Sequence, residues 1–186
     1  MSPSRERARV FFALWPDMDV RDSLAGVAQE CKLECGGRRT PAEKLHITLF
    51  FVGDVERATV PRLQSIAGAM SAASFRLDVT ELGLWRHNRI VWAGSKSAPP
   101  ALATLVSDLT RGLAAVGVRS EDRPYVPHVT LLRNARAAPG HTRIAPIAWH
   151  AHEFVLVESV AAGGASRYEV IARWPFSGQA EDADFV

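Results

Sequence analysis

Two tripeptides in this chain, His46-Ile47-Thr48 and His128-Val129-Thr130, repeat one pattern: a histidine and a threonine about an apolar residue, with a leucine following. Side chains alternate faces along a β-strand, so His46 and Thr48 share one face while Ile47 and Leu49 share the other. The same holds for His128 and Thr130 against Val129 and Leu131. A strand of this kind lines a wet cleft over a packed core, and two of them can bring two imidazoles and two hydroxyls to one substrate. An imidazole titrates near pH ~6.5, so one ring can take a proton while the other gives one. Placed at opposite apices of a phosphorus, such a pair suits displacement at a phosphate ester. The hydroxyls can donate to non-bridging oxygens, where charge builds in the transition state. Arg133, five residues after His128, adds a planar guanidinium that matches phosphate geometry; the corresponding residue after His46 is Phe51. No metal is required, because threonine stands where a His-x-His site would place its second ligand.

The elements that must carry these residues also repeat. Arg9-Val10-Phe11-Phe12-Ala13 matches Arg89-Ile90-Val91-Trp92-Ala93 at an offset of 80 residues, and the two histidines lie 82 apart. Each half reads as a strand, a helix and the His-x-Thr strand. Leu24, Val27, Ala28 and Cys31 recur at helical spacing behind Pro16, with Asp17 or Asp19 as the cap. Leu102, Leu105, Val106, Leu109 and Leu113 form a second stripe, opened by Pro99-Pro100. A third helix is expected from about Glu56 to Met70, with Pro61 in its first turn. Hairpins are expected through His87-Asn88 and through Gly163-Gly164. The segment Arg133–Pro146, with Pro139-Gly140, reads as a surface loop. These elements predict an α+β protein of two similar lobes, two antiparallel-rich sheets flanked by helices, with the His-x-Thr strands facing each other across a central cleft. Residues 1–8 read as an extension, 9–176 as one bilobal domain, and 177–186 as a flexible acidic tail.

Composition sets outer bounds. The chain has 186 residues, 47% of them hydrophobic and 23% charged, with a net charge of +2. That permits an anionic substrate, and no Lys/Arg run suggests a long nucleic-acid footprint. Cys31 and Cys35 share one helical face and read as buried thiols. No apolar stretch reaches signal-peptide or transmembrane length, which makes a cytoplasmic protein the default. His87, His141, His150 and His152 lack a threonine partner and read as surface or structural. The five tryptophans, Trp15 and Trp85 among them, read as core or rim. Arg9, Arg89 and Arg123 divide between cleft-facing and solvated strand ends.

The paired motifs carry a family resemblance. Arg9-Val10-Phe11-Phe12-Ala13-Leu14, Leu45-His46-Ile47-Thr48-Leu49 with Gly53 shortly after, Arg89-Ile90-Val91-Trp92, and above all Arg123-Pro124-Tyr125-Val126-Pro127-His128-Val129-Thr130-Leu131-Leu132-Arg133 resemble the two-histidine (2H) phosphoesterases. The nearest branch is the RNA 2′,3′-cyclic phosphodiesterases, also called 2′-5′ RNA ligases (LigT/ThpR-like). The resemblance runs from about Arg9 to Phe176. It implies the LigT-like fold and hydrolysis of a terminal 2′,3′-cyclic phosphate to a 2′-phosphomonoester, with the 3′-oxygen leaving. RNA ends or nucleotides bearing that phosphate are the expected partners. No cofactor, no membrane and a monomer are expected. On this scheme His46 is assigned as general acid and His128 as general base, with the reverse left open; Thr48, Thr130 and Arg133 hold the phosphate. Phe12 and Tyr125 are candidates to stack on a base, with core packing the alternative for each. Attack by a 5′-hydroxyl in place of water would give 2′-5′ ligation. ADP-ribose cyclic phosphate or 2′-5′ oligonucleotides are alternative substrates, and a non-catalytic RNA-end-binding module is the alternative from another class.

Overall fold

The computed structural model describes residues 6–119 and 124–178. The expectation for Arg123, and most of that for the acidic tail, falls outside them. In chain order the elements are β1 (Arg7–Leu14), α1 (Met18–Cys35), β2 (Arg38–Arg39), β3 (Ile47–Glu56), α2 (Val60–Gly68), β4 (Phe75–Trp85), β5 (Ile90–Gly94), α3 (Pro100–Ala114), β6 (His128–Arg133), β7 (Arg143–Ala151), β8 (Glu153–Ala162) and β9 (Ala165–Pro175), with 3-10 turns at Ala42–Lys44 and Arg57–Thr59.

The two expected sheets are one continuous sheet of nine strands, β7-β4-β5-β6-β3-β1-β8-β9 with β2 beside β6, all antiparallel, because the two groups of four are joined through β6 and β3. The groups meet between β6 and β3 at one residue pair, Ile47 with Val129. Those are the central residues of the two His-x-Thr motifs, so the seam of the molecule is built from the motifs themselves. Beyond that pair β3 and β6 part company. The edge of β6 that β3 leaves is taken by β2, which pairs Arg38 with Arg133 and Arg39 with Leu132. The cleft opens where the strands diverge.

Helix α1, from the first half, packs on β6 and β7 of the second; α3, from the second half, packs on β3 of the first. This exchange joins both halves in one continuous core that includes Phe12, Leu24, Leu63, Leu77, Leu109, Leu131 and Trp149. Asp17 caps α1, its carboxylate accepting from the Val20 N–H at 2.9 Å. The stripe Leu102, Leu105, Leu109 and Leu113 is buried as its spacing predicts. Gly163 and Gly164 both take positive φ, 53° and 86°, and close β8 onto β9 in a two-residue turn.

Several boundaries differ from the sequence reading. β1 opens at Arg7, which pairs with Glu56, so part of the expected extension belongs to the sheet. The expected loop Arg133–Pro146 gives way to β7 at Arg143, whose residues pair with β4. Its run of arginine, proline and histidine hides the alternation, and pairing to β4 supplies what local propensity does not. Helix α2 is shorter than expected because a 3-10 turn precedes it. Ser177 donates its N–H to Ala72, and Gly178 accepts from Ser74, so the first two residues of the expected tail are tied to the fold.

Candidate active site

His46 directly precedes β3, and His128 opens β6. Continuing the antiparallel register from the Ile47–Val129 pair sets His46 opposite Thr130 and Thr48 opposite His128. Ile47 and Val129 are buried, so the four polar side chains share the opposite face. All four line one cleft of about 1160 Å³.

The two imidazoles are held in the same way. His46 Nδ1 lies 2.7 Å from the Lys44 carbonyl, and His128 Nδ1 lies 2.8 Å from the Val126 carbonyl, each two residues upstream. A carbonyl only accepts, so each Nδ1 carries a proton and each Nε2 is left to exchange one. The Thr48 hydroxyl is 3.0 Å from His46 Nε2. While His46 is neutral that hydroxyl donates to the ring. When Nε2 takes a proton, the hydroxyl can turn its own to another acceptor, so the proton on His46 and the donor on Thr48 are coupled.

Aromatic rings crowd His46. Trp15 stacks on it at 5.4 Å with 10° between planes, Phe11 lies at 4.9 Å, and Tyr168 meets it edge-on at 5.6 Å. This burial is the main force pulling the His46 pKa down from 6.5 to about 4; the positive charges of His128 and Arg133 add to it, and the bond to Lys44 opposes it. Trp85 meets His128 edge-on at 4.4 Å.

Strict alternation would turn Arg133 away from His128 and Thr130, onto the Val129 face. A β-bulge prevents this. Thr130 pairs with Trp92 and Leu132 with Val91, leaving Leu131 as the extra residue. Leu131 and Leu132 are both buried, and Arg133 comes round to the cleft. The first half has the same bulge: Thr48 pairs with Ala13 and Phe50 with Phe12, so Leu49 is extra and Phe51 reaches the cleft. In both halves the extra residue is the third after the histidine.

Of the two readings of Phe12, base stacking is overturned and core packing is observed. Phe12 has 0% exposure and packs against Phe154 and Trp174 on the core face. Val10, Phe12 and Leu14 alternate inward, which leaves Phe11 beside the site. Thr48 and Thr130 take Ala13 and Trp92 as partners, 79 residues apart, one fewer than the offset of the similar segments. Tyr125 is half-buried; its hydroxyl donates to the Thr48 carbonyl at 3.2 Å. It lines a neighbouring hollow of about 490 Å³ that also touches Thr48 and His128. Burial raises its phenol pKa.

Sequence reasoning did not single out Arg38, Arg39, Lys44 or Tyr168, all of which line the cleft. Trp15 and Trp85 touch the imidazoles as well as filling the rim. Lys44 donates to the Ser166 carbonyl and lies 5.1 Å from the Tyr168 ring, which ties the loop before His46 to the β8–β9 hairpin. Arg9 lines the cleft, whereas Arg89 sits in the β4–β5 turn with φ of 55°. No group of three or more His, Cys, Asp or Glu able to hold a metal occurs among the described residues.

Paired His-x-Thr strands from two similar halves, facing one cleft with both Nδ1 atoms held by backbone carbonyls, define a two-histidine phosphoesterase. Comparison with known proteins agrees and narrows the class. Residues 20–162 match the family model of the 2′-5′ RNA ligase superfamily, and the chain belongs to that family. It is 32% identical over 174 residues to the RNA 2′,3′-cyclic phosphodiesterase of Escherichia coli, covering 91% of this chain and 97% of that protein. Identity to the enzyme of the same name from Thermus thermophilus is 25% over 185 residues, covering 92% and 91% of the two chains. The crystal structure of E. coli LigT complexed with 3′-AMP superposes with a TM-score of 0.84 at 31% identity, over 92% of this chain and 99% of that one. The LigT-like α+β fold expected from the sequence is therefore the fold observed.

Proposed function

We propose that this protein is an RNA 2′,3′-cyclic phosphodiesterase that opens a terminal cyclic phosphate to a 2′-phosphomonoester by two-histidine acid–base catalysis. The observation that carries the reading is the matched pair of imidazoles. Each has Nδ1 fixed by its own backbone and lines one cleft, with Arg133 lining it too. His128 takes the proton of the attacking water, and His46 delivers a proton to the departing 3′-oxygen. Thr48, Thr130 and Arg133 hold the non-bridging oxygens, where donors act on growing charge.

The low pKa of His46 fits the acid role in a specific way. Burial and the neighbouring Arg133 guanidinium keep the ring neutral. An anionic phosphate beside it offsets that repulsion and lets the ring take its proton with the substrate. Once charged, an imidazolium disfavoured by its surroundings is a strong proton donor. The loading also frees the Thr48 hydroxyl to face the phosphate.

The reading takes the enzyme to act as a monomer, since one chain supplies both histidines. It places the enzyme in the cytoplasm, where buried unpaired thiols such as Cys31 and Cys35 are at home. No helix among the described residues is long and apolar enough to cross a membrane. With a 5′-hydroxyl in the place of water, the reverse reaction is 2′-5′ ligation. The test is product analysis after incubation with an oligonucleotide ending in a 2′,3′-cyclic phosphate. The expected product carries its phosphate on the 2′-oxygen. A 3′-phosphate, or binding without turnover, would overturn the assignment.

A further inference from the structure

The cations around the cleft are not equally committed. On the β1–β3 side Arg9 meets Asp54 at 3.4 Å, Arg57 holds Glu158, and Arg7 donates to the Asp54 carbonyl at 2.7 Å. On the β2–β6 side Arg38 stands directly across the ladder from Arg133. Like charges in such a cross-strand pair repel. Among the described residues neither arginine has a carboxylate partner, and Arg39 next door meets only the Gln29 amide, at 2.9 Å.

This two-residue strand is held firmly. Thr40 donates its N–H to the Leu131 carbonyl at 2.8 Å, at the bulge itself. Gly37, with φ of 76°, lies so close to β6 that a Cβ would sit 2.7 Å from the Arg133 carbonyl oxygen. The like-charged pair is thus built into the fold. An arrangement that repels in isolation becomes favourable when an anion lies between or beside the two guanidinium groups.

Arg133 closes the strand that carries His128 and Thr130 and lines their cleft, which places its charge toward the reacting phosphate. Arg38 lines the same cleft, and its strand pairs with β6 only at Leu132 and Arg133, beyond the end of the His-x-Thr segment. Thr130 and Arg133 are three residues apart, about 10 Å of strand at most. A second phosphate, one linkage upstream of the reacting one, falls naturally at β2.

We propose that Arg38, supported by Arg39, binds the phosphodiester 5′ to the terminal nucleotide, so that the RNA chain leaves the cleft across β2 and the enzyme favours oligonucleotide ends over mononucleotides. The inference rests on the phosphodiesterase reading above and names the substrate class for that site.

The test compares two substrates: a mononucleoside 2′,3′-cyclic phosphate, which lacks an upstream phosphate, and a trinucleotide with the same cyclic end. For Arg38→Gln the ratio of kcat/KM, trinucleotide over mononucleotide, should fall about tenfold, mainly through KM, as expected for one charge-assisted contact. The salt slope of log kcat/KM for the trinucleotide should weaken by about 0.7, the loss of one single-strand phosphate contact. Arg38→Lys should recover part of both. An unchanged ratio overturns the proposal, whether both substrates suffer equally or neither does. Equilibrium binding of a trinucleotide 3′-phosphate and of a mononucleoside 3′-phosphate repeats the comparison without turnover. If the wild type hydrolyses neither substrate, the phosphodiesterase reading fails, and this binding ratio still decides the role of Arg38.

Discussion

Removing the imidazole at position 46 should change how the protein's stability depends on pH. In the unfolded chain His46 titrates near 6.5; in the folded protein its surroundings hold it at about 4. As pH falls, the unfolded state therefore takes the proton first. Between these two values the unfolded chain binds more protons than the folded one, so stability drops with falling pH. At about 1.4 kcal/mol per pH unit, the full separation amounts to about 3 kcal/mol of stability, present above pH 6.5 and lost by about pH 4. At pH 5 the loss is already about 2 kcal/mol.

The assay is urea unfolding of the wild type and of His46→Gln at pH 7, 6 and 5. Other titrating groups are common to both proteins, so the difference between the two profiles isolates His46. The wild type should lose about 2 kcal/mol more than the variant from pH 7 to pH 5. Proton NMR of the His46 ring gives an independent reading, and its midpoint should lie well below that of a free imidazole. Parallel stability profiles, or a ring titrating near 6.5, would refute the claim that the Phe11–Trp15–Tyr168 surround and the nearby cations keep His46 neutral.

Further outcomes follow from the same geometry. His46→Ala and His128→Ala should each lower turnover of a 2′,3′-cyclic phosphate by about 10²–10⁴-fold. On a phosphodiester whose leaving group is 4-nitrophenolate, which departs without a proton, His46→Ala should regain most of the loss and His128→Ala should not; the opposite pattern would exchange the two roles. Turnover by the wild type should persist in excess chelator, and a loss of activity there would point to a metal. Gly37→Ala should cost about 2 kcal/mol in urea unfolding, because its φ of 76° is strained for alanine and the new Cβ meets β6. Cys31, its pKa raised by burial to about 11, should react with a thiol reagent at pH 8 far more slowly in the native protein than in urea.

The amount of this legible in the sequence depended on how local each signal was. The His-x-Thr strands were legible because alternation is a property of neighbouring residues, and the helices because Leu102, Leu105, Leu109 and Leu113 mark a face by themselves. β7 was not legible, since its place is set by pairing with β4 about seventy residues away. β2 was hidden for a related reason: two arginines after two glycines carry no strand pattern until β3 vacates the edge of β6. For Phe12 base stacking and core packing both stayed open, because the pair Phe11-Phe12 does not by itself say which ring faces the core.

Arg133 shows the limit most clearly. Counting five residues from His128 found it, yet strict alternation would have put it on the wrong face. The bulge at Leu131 reconciles the two, and its twin at Leu49 does the same for Phe51. A feature present at the same step after each histidine belongs to the plan of the half, not to one of its sequences. What differs is the side chain that the bulge delivers: a guanidinium in one half and an aromatic ring, with Arg9 lying 5.1 Å from its centroid, in the other. Two histidines held by equivalent backbone bonds can take opposite roles only if their surroundings differ. The bulges place those differences within reach of the phosphate, so the asymmetry that catalysis needs enters through the fifth residue and the aromatic surround while the backbone stays symmetric.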